Sequence, residues 1–221
     1  RMVTIEASES AKSAAVKINA VAGATTVFAQ ARTAALLRSS SSTDLSYTIK
    51  VNNVETAAFS LSSAGVTDAV TKINAITAST GVMAAATTDG KVLLVDTNGD
   101  NITIENTSTQ TSLYVAAVEN DGVTVAAAGG EDQLLASGGT DLTTISGTIR
   151  LTSTAGFTVT QATAAGAGAS FFTDGDVAAT LGSVSAVDVT TTIGASNALA
   201  ILDGALDTVS AMRGSLGTLQ N

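Results

Sequence analysis

Acidic and amide side chains alternate in one stretch of the chain in the pattern of a metal-binding loop. Asp96, Asn98 and Asp100 stand at alternate positions, as the first ligands of a 12-residue calcium loop do. That loop also needs Gly at its sixth position and a bidentate Glu at its twelfth, and this chain has neither there. Asn98-Gly99 is better suited to a hairpin turn between strands at residues 92–95 and 102–104. We therefore predict a turn here and no metal site.

The candidates for catalysis are acidic pairs in glycine-rich segments. Glu131-Asp132, or Asp174 with Asp176, could supply the two carboxylates that glycoside hydrolysis requires. However, the chain has no His and no Cys, and aromatic residues that could stack a sugar make up only 3% of it. The usual general base and thiol nucleophile are therefore missing. We predict no catalytic residue and no cofactor, so the protein is not expected to be an enzyme.

Charge and hydropathy narrow the classes of partner. The 221 residues carry a net charge of −9 with a pI near 4.2, which argues against binding to nucleic acid or to anionic membranes. The sequence has no apolar run of membrane-spanning length and does not open with a signal peptide. These features favour an acidic, soluble, extracytoplasmic protein with no nucleic-acid and no membrane partner.

A short sequence repeat dominates the N-terminal half of the chain. Lys-Ile-Asn-Ala occurs twice, 55 positions apart, placing Ile18-Asn19 in register with Ile73-Asn74. Each copy ends a predicted helix, over residues 10–21 and 67–76, and is followed by a turn and a strand-like segment. The repeat therefore predicts a strand, a short helix and a strand, used twice.

The rest of the sequence predicts short strands and then one long helix. Hairpins are expected over residues 45–61, turning at Asn52-Asn53, and over residues 82–95, turning at Asp89-Gly90. A strand is expected at residues 2–5, and glycine-separated strands follow residue 112. Residues 197–221 are expected to be helical, with Ser196 as N-cap. The fold class is therefore α+β, with β-rich outer domains followed by a C-terminal helix.

The C-terminal helix carries apolar residues at heptad spacing in two adjacent seams. Because seams of this kind pack against helical partners, and because its glycines weaken an isolated helix, we expect the chain to be a fragment whose partner helices are absent, and to be monomeric. The residues expected to pack are Leu199, Leu202, Leu206, Val209, Met212, Leu216 and Leu219.

The repeat resembles a known bacterial motif. Ile73-Asn74-Ala75, followed by Ser79-Thr80-Gly81-Val82, resembles the hook-type Ile-Asn motif of flagellins. Residues 18–27 are similar, although Thr26 stands where the motif has Gly. No catalytic role attaches to this motif, so Ile18, Asn19, Ile73 and Asn74 are expected to be structural.

The C-terminal sequence provides a second resemblance to the same family. Residues 184–190, 198–207 and 213–221 are similar in order and spacing to the C-terminal helix of the flagellin core domain, and residues 147–154 resemble a strand near the end of the flagellin variable region. The resemblance implies a structural subunit of the extracellular flagellar filament, active in motility through self-assembly. It also implies other flagellin subunits and a flagellar export chaperone as partners.

The resemblance also suggests boundaries, and two alternatives remain open. Residues 1–183 are expected to form the surface-exposed outer domain or domains, with a split near residue 108, and residues 184–221 a partial core domain. A hook-associated or filament-cap protein would also carry Ile-Asn motifs. A secreted adhesin or carbohydrate-binding module would share the acidic, cysteine-free composition, but it should show aromatic platforms for sugars.

Overall fold

The chain forms a mixed α+β structure of mostly antiparallel sheets and a long C-terminal helix. This computed structural model describes residues 1–6, 9–118, 125, 131–134, 141–153, 155–160, 171, 176–180, 182–187, 189–190 and 192–219. The coarse α+β prediction is therefore confirmed.

Five α-helices and fourteen strands are described in these residues. The helices are α1 (Ala11–Asn19), α2 (Ala22–Thr25), α3 (Thr67–Asn74), α4 (Thr77–Thr80) and α5 (Thr192–Leu219), with a 3-10 turn at Val184–Ala186. The strands are β1 (Phe28–Ser39), β2 (Leu45–Tyr47), β3 (Ile49–Val51), β4 (Val54–Glu55), β5 (Phe59–Leu61), β6 (Met83–Ala86), β7 (Val92–Asp96), β8 (Ile102–Asn106), β9 (Leu113–Ala117), β10 (Glu131–Leu134), β11 (Leu142–Ile145), β12 (Thr148–Thr152), β13 (Thr158–Thr160) and β14 (Asp176–Ala178).

The chain divides into two compact units. The central unit consists of Ser10–Lys12 and Ala31–Ile149, and the terminal unit of Arg1–Glu9, Ser13–Gln30 and Arg150–Asn221. This division does not coincide with the expected boundary between residues 183 and 184. That boundary concerns the domains of an assembled subunit and stays a prediction.

Most strands of the central unit belong to two sheets. One has the order β10-β9-β1-β7-β6, with β12 also pairing with β1, and the other has the order β11-β8-β3-β4. The strands β2 and β5 form a separate pair, and β13 pairs with β14 in the terminal unit. The long strand β1 is Ala-rich, yet it is extended throughout because β7 and β9 pair with it on both sides.

The core of the central unit is built from large apolar side chains of both sheets. Leu37 and Leu94 come from one sheet and Ile49 and Ile104 from the other, and all four are fully buried in one cluster. The rings of Tyr47 and Phe59 stack in it with centroids 6.2 Å apart. The two sheets therefore bury one another, and Ile73 of α3 belongs to the same cluster.

Two predicted hairpin turns are present. Asn52 and Asn53 join β3 to β4 with φ of 48° and 66°, and Gly90 lies between β6 and β7 with φ of 75°. Positive φ is tolerated best by Asn and Gly, which is why the sequence located both turns.

The predicted hairpin at Asn98-Gly99 is wrong. β7 pairs with β1 and β6, whereas β8 pairs with β3 and β11, so the two strands lie in different sheets. The buried carboxylate of Asp96 accepts hydrogen bonds from the backbone N–H of Asn98 at 2.7 Å and of Gly99 at 3.1 Å. These bonds stabilise a turn that leads the chain from one sheet to the other.

Two further expectations are corrected. Residues 2–5 do not form a strand. Helix α5 begins at Thr192, so Ser196 lies inside the helix and not at its N-cap. None of the helices in the described part of the chain is both long enough and apolar enough to span a membrane.

Candidate functional site

The two repeated asparagines each bind the backbone of the strand that follows. The Asn19 side-chain amide donates to the carbonyl oxygen of Ala29 at 2.9 Å, and its Oδ1 accepts from the Ala29 N–H at 2.7 Å. Asn74 makes the same two bonds to Ala84, also at 2.9 Å and 2.7 Å. Each amide therefore takes the place of a neighbouring strand. We call residues 14–29 the first asparagine motif and residues 69–84 the second.

The hydrogen bonds between helix and strand are also repeated. In each motif a short second helix, α2 or α4, follows the asparagine helix and ends in a threonine that links it to the next strand. The Thr25 hydroxyl donates to the carbonyl oxygen of Val21 at 3.1 Å and accepts from the N–H of Val27 at 3.3 Å. The Thr80 hydroxyl donates to the carbonyl oxygen of Ile76 at 3.1 Å and accepts from the N–H of Val82 at 3.2 Å. The sequence did not predict this role for either threonine, although Thr80 lies within the recognised motif and Thr25 precedes it by the same 55 residues.

The apolar faces of both motifs are buried in the same way. Ala14 and Ala69 are fully buried, and Ile18 and Ile73 are 9% and 0% exposed. Because these residues lie four positions apart, they share one helix face, while the asparagines remain exposed at the helix ends. Ile18, Asn19, Ile73 and Asn74 thus occupy equivalent positions in the two motifs.

The first motif has Thr26 where the second has Gly81, and the backbone conformation is left-handed at both positions. Thr26 ends α2 with φ of 57° and ψ of 13°, and Gly81 ends α4 with φ of 76° and ψ of −7°. Their N–H groups donate to Ala22 at 2.7 Å and Thr77 at 2.8 Å. A threonine in this left-handed conformation is strained, whereas a glycine is not.

One substitution at each of these two positions tests whether the motifs are equivalent. We expect Gly81→Ala to lower the free energy of unfolding by about 1–2 kcal/mol, because a Cβ there carries the left-handed cost and would lie 3.1 Å from Asp96 Oδ2. Thr26→Gly is expected to raise it by up to about 1 kcal/mol by relieving the same cost. Urea denaturation measures both, and a loss of stability in Thr26→Gly comparable to that of Gly81→Ala would contradict the equivalence.

Helix α5 exposes a row of large apolar side chains. These are 41–64% exposed, occur at steps of three and four residues, and form what we call the exposed α5 face: Leu199, Leu202, Leu206, Val209, Met212 and Leu216. Ala198 on the same helix is 4% exposed. Leu219 is the last residue of α5, and its side chain lies outside the described part of the structure. An apolar surface of this kind is typical of an interaction site.

Acidic side chains in the described residues form ion pairs and hydrogen bonds. Asp100 binds Lys12 at 2.6 Å and Glu105 binds Lys50 at 2.9 Å. The hydroxyl of Thr87, and then Lys91, hold the pKa of the Asp89 carboxyl below its usual value. Such partners stabilise the charged carboxylate, whereas a general acid needs its protonated form stabilised.

The candidate metal and catalytic groups are not assembled into a site in the described residues. No three His, Cys, Asp or Glu side chains lie together there as metal ligands, and the Asp96 carboxylate is hydrogen-bonded within its turn. Asp132 accepts a hydrogen bond from Thr143 at 2.6 Å. The side chains of Glu131, Asp174 and Asp176 lie outside the described residues.

No family model matches the chain, and no curated protein is significantly similar to it.

Proposed function

We propose that this chain is a structural subunit of the bacterial flagellar filament, a flagellin, and that it has no enzymatic activity. The observation that carries the proposal is the exposed α5 face, whose side chains recur at steps of three and four residues. That spacing fits the packing of one helix against another. The two asparagine motifs and the C-terminal sequence support it through their resemblance to flagellins.

The partner of the exposed α5 face is a helix of another flagellin subunit. Each of the six side chains has about half its surface still in water, so packing them against apolar side chains gains roughly 1 kcal/mol each. Asp203 and Arg213 are the charged residues among the described side chains of α5, and both are exposed. The helix therefore favours an apolar helical partner over a charged one.

The remaining features agree with an extracellular filament. The net charge of −9 opposes non-specific association of the chain before it assembles. We also propose that the chain is secreted through the flagellar export channel, with an export chaperone as an additional partner.

A charge on the exposed α5 face should prevent assembly. In the complete gene product we expect Leu206→Asp to abolish sedimentable filaments, because an aspartate buried between helices lacks a partner. The matched control is Gly214→Asp, which adds the same charge at an exposed position of α5 that is not three or four residues from any side chain of the exposed α5 face. A Cβ at Gly214 would meet no atom within 4 Å, so both proteins should melt at temperatures close to that of the unaltered protein. Filament formation by Leu206→Asp equal to that by Gly214→Asp would contradict the role of this face.

Immunogold electron microscopy of the source bacterium tests the proposal directly. Antibodies raised against this chain should label the flagellar filament along its whole length. Label confined to the hook junction or the filament tip would favour a hook-associated or cap protein. Label elsewhere on the cell would contradict a flagellar function.

A further inference from the structure

Among the strands that the structure describes, β6 is the last of the larger sheet, so one side of its backbone faces away from the sheet. The N–H of Thr87 donates to the carbonyl of Lys91, and the register pairs Ala85 with Leu93 and Met83 with Val95. Because hydrogen-bonded pairs alternate along an antiparallel ladder, the backbone groups of Val82 and Ala84 point outward.

Side chains of the second asparagine motif bind these outward groups. The Val82 N–H donates to Thr80 Oγ1 at 3.2 Å, and the Val82 carbonyl accepts from Thr77 Oγ1 at 2.8 Å. Asn74 binds both groups of Ala84. The N–H and carbonyl groups of Val82 and Ala84, which could otherwise bind a neighbouring strand, are thus all hydrogen-bonded by side chains of one helical segment.

We propose that the second asparagine motif is an edge cap, which prevents β6 from pairing with β6 of a second copy of this chain. An exposed edge strand is a template for strand addition unless it is covered. Residues 82–87 contain no charged residue and no proline, so the strand lacks the residues that usually oppose pairing at an edge. A second copy brings the same edge, and antiparallel pairing about a two-fold axis satisfies both.

The first asparagine motif supplies a matched control. Asn19 makes the same two hydrogen bonds, to Ala29, but Ala29 lies at the start of β1. Further along the strand, β1 pairs with β7 at residues 33–37 and with β9 at residues 35–39. Loss of Asn19 therefore frees two groups at the end of a strand whose later residues are covered, whereas Asn74 covers β6, which pairs with β7 alone among the described strands.

The test is sedimentation velocity of the chain over a range of concentrations. The unaltered chain defines the baseline and Asn19→Ala is the matched control, so any association through α5 is common to all samples. Asn74→Ala should associate at concentrations at least tenfold lower than Asn19→Ala, with a dimer of twice the 21.7 kDa chain mass as the first species. Adding Ala86→Pro or Ala85→Lys to Asn74→Ala should restore the baseline, because proline and lysine on an edge oppose strand addition.

Two results would overturn the proposal. One is an Asn74→Ala chain that is folded by circular dichroism yet associates no more than the baseline. The other is equal association of Asn74→Ala and Asn19→Ala, which would indicate general destabilisation.

If Asn74→Ala does not fold, Thr77→Val decides the question, because it removes one hydrogen bond of the cap and keeps Asn74. Association of Thr77→Val above baseline is expected, and association at baseline would overturn the proposal.

Discussion

Replacing Gly99 with alanine is expected to lower the free energy of unfolding by about 2–5 kcal/mol, because left-handed strain and overpacking act together. Gly99 has φ of 80°, and a Cβ there would lie 2.4 Å from Ala31 Cβ and 3.0 Å from the backbone nitrogen of Arg32. The backbone of β1 would have to shift, and β1 is the central strand of the larger sheet. Urea denaturation followed by circular dichroism measures the loss.

Gly23→Ala is the control for this substitution. Gly23 lies within α2, and a Cβ there would meet no atom within 4 Å. Alanine is a better helix former than glycine, so this variant should gain about 0.5–1 kcal/mol. Equal effects of the two substitutions would mean that the turn after Asp96 does not approach β1 as closely as described.

Ile73→Ala is expected to lower the free energy of unfolding by about 2–5 kcal/mol, the usual cost of truncating a fully buried isoleucine. Ile73 is 0% exposed and belongs to the core cluster that contains Tyr47 and Leu94. The loss should appear in the midpoint of thermal and urea denaturation. Val16→Ala is the control, since Val16 lies on a helix but is 64% exposed, and it should change stability by less than about 0.5 kcal/mol. A loss below about 1 kcal/mol in Ile73→Ala would contradict burial of the second motif in the core.

Local signals in the sequence predicted the elements whose chemistry is local. The turns at Asn52-Asn53 and Gly90 require positive φ, which Asn and Gly adopt more readily than other residues. The 55-residue spacing located both asparagine motifs, because the same side chains make the same hydrogen bonds in each. Heptad spacing likewise located α5, although its first five residues, 192–196, were not predicted to be helical.

The pairing of strands that are distant in the chain could not be predicted from the sequence. The pattern of Asn98-Gly99 is that of a hairpin, but which sheet a strand joins depends on burial against residues far away in the chain. The Ala-rich strand β1 is extended because two neighbours pair with it. The partners Ala29 and Ala84 of the asparagines also could not be predicted, since each bond spans ten residues and depends on the intervening turn.

The function proposed for this chain depends on an α5 helix whose apolar face packs in an assembly and not within the monomer. Hydrogen exchange read by mass spectrometry on the dilute, monomeric chain tests that claim most directly. We expect amides of residues 205–219 to exchange rapidly and those of β7, which is paired on both sides, to be protected. Strong protection across residues 209–219 in the monomer would contradict the account, because it would show that α5 is already stabilised by its own chain.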